Sequence, residues 1–436
     1  MTVRASRPRV LVIAETANPE WVSVPLVGWQ HAAALRDVAD THLVTQVRNR
    51  AAIERAGWRE GEDFTAIDSE QVARVLYRLS SRVRGDEAKG WTTLAAFNVP
   101  AYYYFEYLVW KRFRDAIVAR EFDVVHRVTP LSPTTPSTLA AKCRRAGVPF
   151  VIGPLNGGTP WPPGFDYARR REREWLSYVR GAYKLLPGYR ATRANAAAIV
   201  VASRATWDDM PRSCAEKLVY VPENGIDPTR FTARRTRRAT RPIRLVFVGR
   251  LVPYKGADML LEAAAPLLRA GDATLEILGD GPERDSLEKS IARLGVEKSV
   301  RLTGWIEHRD LEHHLARADV FAFPSIREFG GGVVLEAMAV GLVPVIVDYG
   351  GPGELVTADS GIAVPIGTRA QVIERMRDAL GGLAARPERI DALSARAIER
   401  VERHFTWARK AEQMAQVYDW VLGKCSKPEL GLPARR

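Results

Sequence analysis

Short apolar segments recur along the whole chain and alternate with longer polar or helical segments, and this alternation constrains the fold more than any other feature. Such segments, rich in β-branched residues, are typical of strands in a parallel sheet that helices cover on both faces. We therefore predict an α/β chain with two Rossmann-like domains, whose ligands bind beyond the carboxyl ends of the strands. The predicted strands are 10–14, 42–45, 123–126, 149–152, 198–202 and 218–221 in the first half, and 244–249, 274–279, 300–304, 320–324, 344–348 and 362–365 in the second.

The domain boundary is predicted from a change in composition near residue 230. The turn-rich stretch 222–228 is followed by a basic segment without hydrophobic periodicity, which is typical of a linker. A late segment carries an apolar stripe at helical spacing, and we expect this helix to pack back on one domain, the N-terminal one being the candidate. The predicted divisions are an N-terminal Rossmann-like domain over 1–230, a basic linker over 231–242, a C-terminal Rossmann-like domain over 243–405, a helix over 406–423 and a tail over 424–436.

The charge and cysteine content narrow the possible partners and compartment. The formal net charge of +13 implies attraction to anions, such as phosphorylated substrates, acidic lipids or nucleic acids. No motif of a nucleic-acid-binding fold is present, so a nucleic-acid partner is not predicted. The three cysteines are widely spaced and no apolar run reaches eighteen residues. We therefore expect a cytoplasmic protein without a disulfide framework or a membrane span.

Two glutamates bracket three glycines in the segment 325–336, between a predicted strand and a predicted helix. Glycines let backbone N–H groups approach a ligand, and a helix N-terminus adds partial positive charge. Glu328 and Glu336 can accept hydrogen bonds from vicinal hydroxyls of a sugar or ribose. The same residues are compatible with a charged helix start beside a flexible loop, or with the acid and nucleophile of a hydrolase.

Two cations follow the first strand of the second half. Arg250 comes directly after Gly249, and Lys255 precedes a predicted helix that starts at residue 257. Cations at the carboxyl end of a strand, beside a helix N-terminus, are well placed to clamp a diphosphate, although solvated loop cations would give the same pattern. The next strand ends in a tight turn at Gly279, which again permits close backbone approach.

The second half carries five short motifs, which are Gly249-Arg-Leu with Lys255-Gly, Leu278-Gly-Asp-Gly-Pro, Phe323-Pro-Ser, Glu328-Phe-Gly with Leu335-Glu-Ala-Met-Ala, and Phe405-Thr-Trp. In this order they resemble the family 4 retaining glycosyltransferases of the GT-B fold. The resemblance covers residues 243–423, and the first half is similar more loosely through Asp123-Val-Val-His126 and 222–227. It implies two Rossmann-like domains facing each other across a cleft, an N-terminal one that binds the acceptor and a C-terminal one that binds the nucleotide sugar. It also implies transfer of a sugar from a nucleoside diphosphate to the acceptor with retention of configuration.

The resemblance also implies roles for individual residues. The positions of Arg250 and Lys255 neutralise the donor diphosphate, and that of Glu336 binds the ribose. His126 resembles a histidine that contacts the transferred sugar, and Gly28 matches a glycine of the first loop near the phosphates, although paired glycines are usual there. The predicted catalytic residues are His126, Arg250, Lys255 and Glu328. The predicted donor-binding residues are Gly28, Gly249, Arg250, Lys255, Gly279, Trp305 and Ile306 at the base, Glu328, Phe329, Gly330 and Gly331 at the sugar, and Glu336.

The predicted chemistry requires no cofactor and no metal. No Asp-x-Asp triplet occurs, and fixed cations can stabilise the departing diphosphate instead. We expect a nucleotide-sugar donor, with a UDP-sugar favoured as the commonest class, and a glycan or lipid-linked acceptor in surface polysaccharide or glycolipid synthesis. A sugar-nucleotide epimerase of similar fold and a basic nucleic-acid or anion-binding protein are the alternatives.

An aromatic and basic stretch at 96–114 suggests a further partner. Its aromatics and cations are typical of a helix at a membrane interface, and equally of a core helix with a basic end. The basic run Arg169–Arg173 adds positive charge to the same predicted domain, suiting either an anionic lipid surface or solvent. We therefore expect a cytoplasmic location with peripheral association at the inner membrane face as one possibility.

Overall fold

The computed structural model describes residues 7–70, 91–171 and 182–431, with side chains from residue 99 in the second range and from residue 183 in the third. The chain forms two compact units. The N-terminal unit comprises 1–158, 173–223 and 407–436, and the C-terminal unit comprises 159–172 and 224–406.

The N-terminal unit is built on a seven-stranded parallel sheet. Alternate residues of its first strand join two different apolar clusters, because successive side chains of a strand point to opposite faces. The strands are β1 (Arg9–Ala14), β2 (Asp40–Gln46), β3 (Phe64–Ile67), β4 (Val124–Thr129), β5 (Phe150–Leu155), β6 (Ala198–Val201) and β7 (Leu218–Tyr220), in the order β3-β2-β1-β4-β5-β6-β7. The helices are α1 (Val24–Leu35), α2 (Arg50–Arg55), α3 (Trp91–Val118), α4 (Leu139–Ala146), α6 (Tyr189–Asn195), α7 (Arg204–Asp209) and α15 (Trp407–Val421).

The C-terminal unit repeats the design with a six-stranded parallel sheet and one large apolar core. Its strands are β8 (Ile243–Val248), β9 (Ala273–Leu278), β10 (Val300–Gly304), β11 (Val320–Phe323), β12 (Val343–Asp348) and β13 (Ile362–Pro365), in the order β10-β9-β8-β11-β12-β13. Its helices are α5 (Asp166–Arg171), α8 (Ala257–Ala270), α9 (Arg284–Leu294), α10 (Leu311–Leu315), α11 (Gly332–Val340), α12 (Gly351–Leu355), α13 (Arg369–Ala385) and α14 (Glu388–His404).

The predicted fold class is confirmed, and each predicted strand is present within a few residues of its expected position. The final helix α15 packs on α1 in the N-terminal unit, through residues such as Met414 and Val417. The strand β3 escaped prediction because its two central residues, Thr65 and Ala66, are only partly buried. A short edge strand of this kind has no continuous apolar run to signal it.

The division of the chain differs from the predicted one. The segment 231–242 is part of the C-terminal unit, with Phe231 and Ala239 in its core, and is therefore not a free linker. Arg235, whose side chain is 5% exposed, pairs with Asp319 at 3.3 Å and with Asp391 at 2.6 Å. A basic run looks solvated in the sequence because its acidic partners lie far away along the chain.

The segment 159–172 also belongs to the C-terminal unit, although strands of the N-terminal unit precede and follow it. Phe165 and Ala168 are fully buried in the core of the C-terminal unit. Arg171 forms a bidentate contact with Glu283, its Nη2 donating to Oε1 at 2.7 Å. The basic run 169–173, predicted to lie in the N-terminal domain, is thus divided between the two units.

The aromatic and basic stretch 96–114 lies within α3, which has one buried and one exposed face. Tyr102, Phe105 and Val109 are buried in the core, whereas Tyr107 is 54% exposed. Among the described residues, no helix combines the length and apolar character needed to cross a membrane.

Candidate functional site

The order of strands reverses between β8 and β11 in the C-terminal unit, so the loops after these neighbouring strands diverge. Parallel sheets bind ligands at such a switch point, beyond the carboxyl ends of the strands. The loop after β8 contains Gly249, Arg250 and Lys255, and the loop after β11 contains Glu328 to Gly331. The fold therefore places the two predicted motifs side by side.

Lys255 and Glu328 form an ion pair across this switch point, although 73 residues separate them. Their side chains retain 16% and 20% exposure, so both remain accessible from solvent. Burial tends to lower the pKa of Lys255, but the Glu328 carboxylate and Tyr254 outweigh it, and the net pKa is raised. Lys255 is therefore a permanent cation at neutral pH, available to a diphosphate.

Glu336 lies in the first turns of α11 and accepts a hydrogen bond from His308, with Nε2 and Oε1 separated by 2.8 Å. The two side chains are 17% and 24% exposed. His308 was not among the predicted site residues. Only its position in a loop after a strand could have signalled it, since its partner is 28 residues away.

The loop that carries Glu328 rests directly on the start of α12. Gly351 N–H donates to the carbonyl oxygen of Glu328 at 3.1 Å. A Cβ atom on Gly350 would lie 2.3 Å from that oxygen, and one on Gly351 would lie 2.1 Å from the oxygen of Phe329. Glycine is needed at both positions for this approach, which determines the path of the backbone from Glu328 to Gly331.

The remaining predicted donor-binding residues of the C-terminal unit lie at neighbouring strand ends. Gly249 and Gly279 are packed so closely that a Cβ on Gly279 would lie 2.0 Å from the oxygen of Gly249. Arg250 is exposed, and Trp305 is 62% exposed after β10, with Ile306 half-buried against the core.

His126 does not have the geometry predicted for a sugar contact. It lies inside β4, is fully buried, and both ring nitrogens are occupied. Its Nε2–H donates to the carbonyl oxygen of Gly153 and its Nδ1 accepts from the Tyr418 hydroxyl, both at 2.7 Å. Burial lowers its pKa to about 4. A neutral, enclosed imidazole of this kind stabilises the packing of α15 on the sheet.

Gly28 also differs from its predicted place in the first loop. It lies within α1 and is buried, and a Cβ there would lie 2.2 Å from the oxygen of Thr16. The absence of a side chain lets the helix pack against the backbone that follows β1. The glycine is explained by this helix packing.

Two further features of the sites could not be read from the sequence. The guanidinium of Arg327 lies 5.0 Å from the ring centre of Trp161 and 5.2 Å from that of Phe329. The segment 159–172 therefore packs against the loop that carries Glu328. In the N-terminal unit, Asn156 follows β5 and is 6% exposed, yet neither polar atom of its amide has a partner among the described residues.

Comparisons with known proteins find similarity to glycosyltransferases. Residues 229–392 match the model of the family described as Glycosyl transferases group 1. The chain is 36% identical over 205 residues to the glycogen synthase of Mycobacterium tuberculosis, covering 46% of this chain and 48% of that protein. It is 33% identical over 211 residues to a GDP-mannose-dependent phosphatidylinositol monomannoside mannosyltransferase of Mycolicibacterium smegmatis, covering 44% and 54%. The chain thus spans about half the length of these two curated relatives.

A solved structure of similar fold extends the comparison to both units. The Anabaena protein HepE in complex with UDP has a TM-score of 0.59 and 16% identity, covering 94% of this chain and 99% of that one. At this identity the likeness concerns the fold alone. The predicted GT-B resemblance is confirmed, whereas assignment to family 4 stays a prediction.

Proposed function

We propose a glycosyl transfer reaction for this chain, because residues 229–392 match the model of the glycosyl transferases group 1 family. The observation that supports it best is the pairing of Lys255 with Glu328 at the switch point between β8 and β11. A nucleoside diphosphate sugar offers a negative diphosphate and a sugar with hydroxyl groups. Lys255 can pair with the diphosphate, and Glu328 can accept hydrogen bonds from the sugar hydroxyls.

In the proposed reaction, the bond between the anomeric carbon and the phosphate oxygen breaks, and its electron pair stays on the departing nucleoside diphosphate. Lys255, Arg250 and the N-terminus of α11 stabilise this new negative charge. The acceptor hydroxyl oxygen bonds to the anomeric carbon on the same face, and its proton passes to the departing phosphate. Configuration is then retained, and because two side-chain cations neutralise the charge, we propose that the reaction is independent of metal.

A UDP-sugar is the first donor class to consider, since HepE was crystallised with UDP. The mycobacterial mannosyltransferase depends on GDP-mannose, which makes GDP the second. We further propose an acceptor in surface polysaccharide or glycolipid synthesis, with the protein peripheral to an anionic membrane. The exposed Tyr107, Lys111 and Leu185 of the N-terminal unit, the last 84% exposed, support a membrane contact.

Calorimetric titration with UDP, GDP and ADP, with divalent metal chelated, tests the donor site. One nucleotide is expected to bind, and Lys255→Ala and Glu336→Ala are each expected to weaken it by about 1–3 kcal/mol, the magnitude of a charge-assisted hydrogen bond. Lys289→Ala, at an exposed lysine of α9, is the matched control and should bind normally. If no nucleotide binds, or if both site variants bind as the wild type does, the proposed function is wrong.

Incubation with the nucleotide-sugar of the base that binds then tests the transfer. The expected product on a supplied acceptor keeps the anomeric configuration of the donor, as read by NMR of the new glycosidic bond. An inverted product would overturn the retaining mechanism without affecting the donor site.

A further inference from the structure

The loop after β10 brings His308 to the side of Glu336. The imidazole packs edge-on against the ring of Phe231, with ring centres 5.7 Å apart, and donates to Oε1 of Glu336 at 2.8 Å. This hydrogen bond restrains one carboxylate oxygen and leaves the other oxygen to a ligand. His308 therefore determines the orientation of the Glu336 carboxylate, which is predicted to contact the ribose.

The charged groups around His308 come from four elements of the C-terminal unit. Glu336 faces it from α11, Glu312 from α10, Arg309 from its own loop and Arg230 from the segment before β8. A cavity of about 130 Å³ is lined by Arg230, Phe231, His308, Arg309 and Glu312. Glu312 is engaged elsewhere, since its Oε2 accepts from Ala233 N–H at 2.9 Å. Glu336 is thus the carboxylate that responds directly to the charge on His308.

We propose that His308 is a positioning residue that makes nucleotide affinity depend on protons, by orienting Glu336 and, when charged, neutralising it. This inference rests on the proposed function, because it assumes that Glu336 contacts the nucleotide. A nucleoside diphosphate is itself an anion, so a carboxylate without a compensating charge repels it. A charged His308 removes that repulsion while keeping the oxygen in place.

The pKa of His308 beside Glu336 gives the direction in which nucleotide affinity should change with pH. The hydrogen bond to Glu336 raises the pKa of His308 above its ordinary value, against the opposing effects of burial and Arg230. His308 is therefore charged further toward neutral pH than a free histidine. Nucleotide affinity should be highest on the acid side of this pKa and fall as the pH rises through it.

The test is calorimetric titration with the nucleoside diphosphate that the wild type binds, between pH 6 and 8.5. His308→Gln keeps a hydrogen-bond donor but no charge, and each affinity is expressed relative to this variant at the same pH, which removes the ligand's own protonation. The wild-type advantage is expected to be about three- to tenfold at pH 6 and to disappear at pH 8.5. His308→Lys, charged throughout this range, should keep the advantage at pH 8.5.

His313→Gln is the matched control, since it makes the same exchange at an exposed histidine of α10, and it should follow the wild type. A constant ratio of wild-type to His308→Gln affinity across the range would overturn the inference while leaving nucleotide binding intact. A wild-type protein that binds none of the three nucleotides at any pH would overturn the proposed function together with the inference.

Discussion

The two units share a sheet design but place their polar residues in opposite ways near the switch point. In the C-terminal unit, Lys255 and Glu328 lie on loops beyond the strands, paired with each other and partly exposed. In the N-terminal unit, His126 lies inside β4 and His31 inside α1, both almost fully buried. A histidine at the expected point in the sequence is therefore insufficient for a site. A functional group must be accessible to a ligand, whereas an enclosed imidazole resists protonation and therefore makes the fold sensitive to acid.

The largest expected difference between the two units is the loss of stability of the N-terminal unit at acidic pH. Burial lowers the pKa of His31 well below its ordinary value and that of His126 to about 4. Below pH 6.5 the unfolded chain therefore takes up protons that the folded unit does not, and stability falls. Between pH 7 and 5 the free energy of unfolding of the N-terminal unit should decrease by about 3–4 kcal/mol. Denaturant titrations at both pH values, followed by hydrogen exchange of peptides from β4 and α1, would measure it.

The control for this pH dependence is His31→Leu. Neither ring nitrogen of His31 has a hydrogen-bond partner among the described residues, so an apolar side chain should be accepted there. The variant should lose up to about half of the decrease, because His126 and, to a smaller extent, the partly buried His42 still contribute. An unchanged decrease would show that other groups cause it.

Removing Lys255 should affect the reaction rather than the fold. Lys255→Ala is expected to lower the turnover number for sugar transfer by about 10²–10³-fold, the usual effect of deleting one stabilising group in the transition state. The melting temperature should change little, because Lys255 and Glu328 are both partly exposed. Equal losses in Lys255→Ala and in the surface control Lys289→Ala would contradict a specific role.

Removing His126 should affect the stability of the fold rather than the reaction. His126→Ala leaves the oxygen of Gly153 and the hydroxyl of Tyr418 without their buried partner. The expected loss is about 2–3 kcal/mol in the free energy of unfolding, with activity per folded molecule unchanged. Lost activity at unchanged stability would instead support the sugar contact first predicted for this residue.

The smallest expected effect concerns a buried lysine of α15. Lys410 is 1% exposed and donates to the oxygen of Pro222 at 2.5 Å, and burial lowers its pKa to about 7. Because the unfolded chain holds this proton up to higher pH, Lys410 lowers stability at neutral pH and less so toward pH 10.

Lys410→Met keeps the apolar stem and removes the charge. The variant should be more stable by about 1–2 kcal/mol at pH 7, after allowing for the unpaired oxygen of Pro222. Thermal unfolding at pH 7 and 9.5 would show it, with a smaller gain at the higher pH. A variant less stable than the wild type at pH 7 would mean that the hydrogen bond outweighs the burial of the charge.

Local patterns explain which parts of the site were predictable. Glu328, Glu336 and Lys255 could be proposed as site residues because each lies within a short motif at a strand end or helix start, and the apolar runs located those strands. His308 and Trp161 were missed because their partners, Glu336 and Arg327, are distant in the sequence. His126 was assigned from a motif whose residue type is present, but its burial depends on α15, almost 300 residues later.

The sequence by itself determined two parallel α/β sheets and the glycine-rich and cationic loops at their carboxyl edges. These features follow from apolar runs and turn residues, whose effects act over a few positions. Only the tertiary structure decided that 159–172 and 231–242 belong to the C-terminal unit, that His126 is enclosed, and that His308 holds Glu336. Burial and ion pairing depend on which distant segments pack together, because the energy of a charge is set by its surroundings in space and not by its neighbours along the chain.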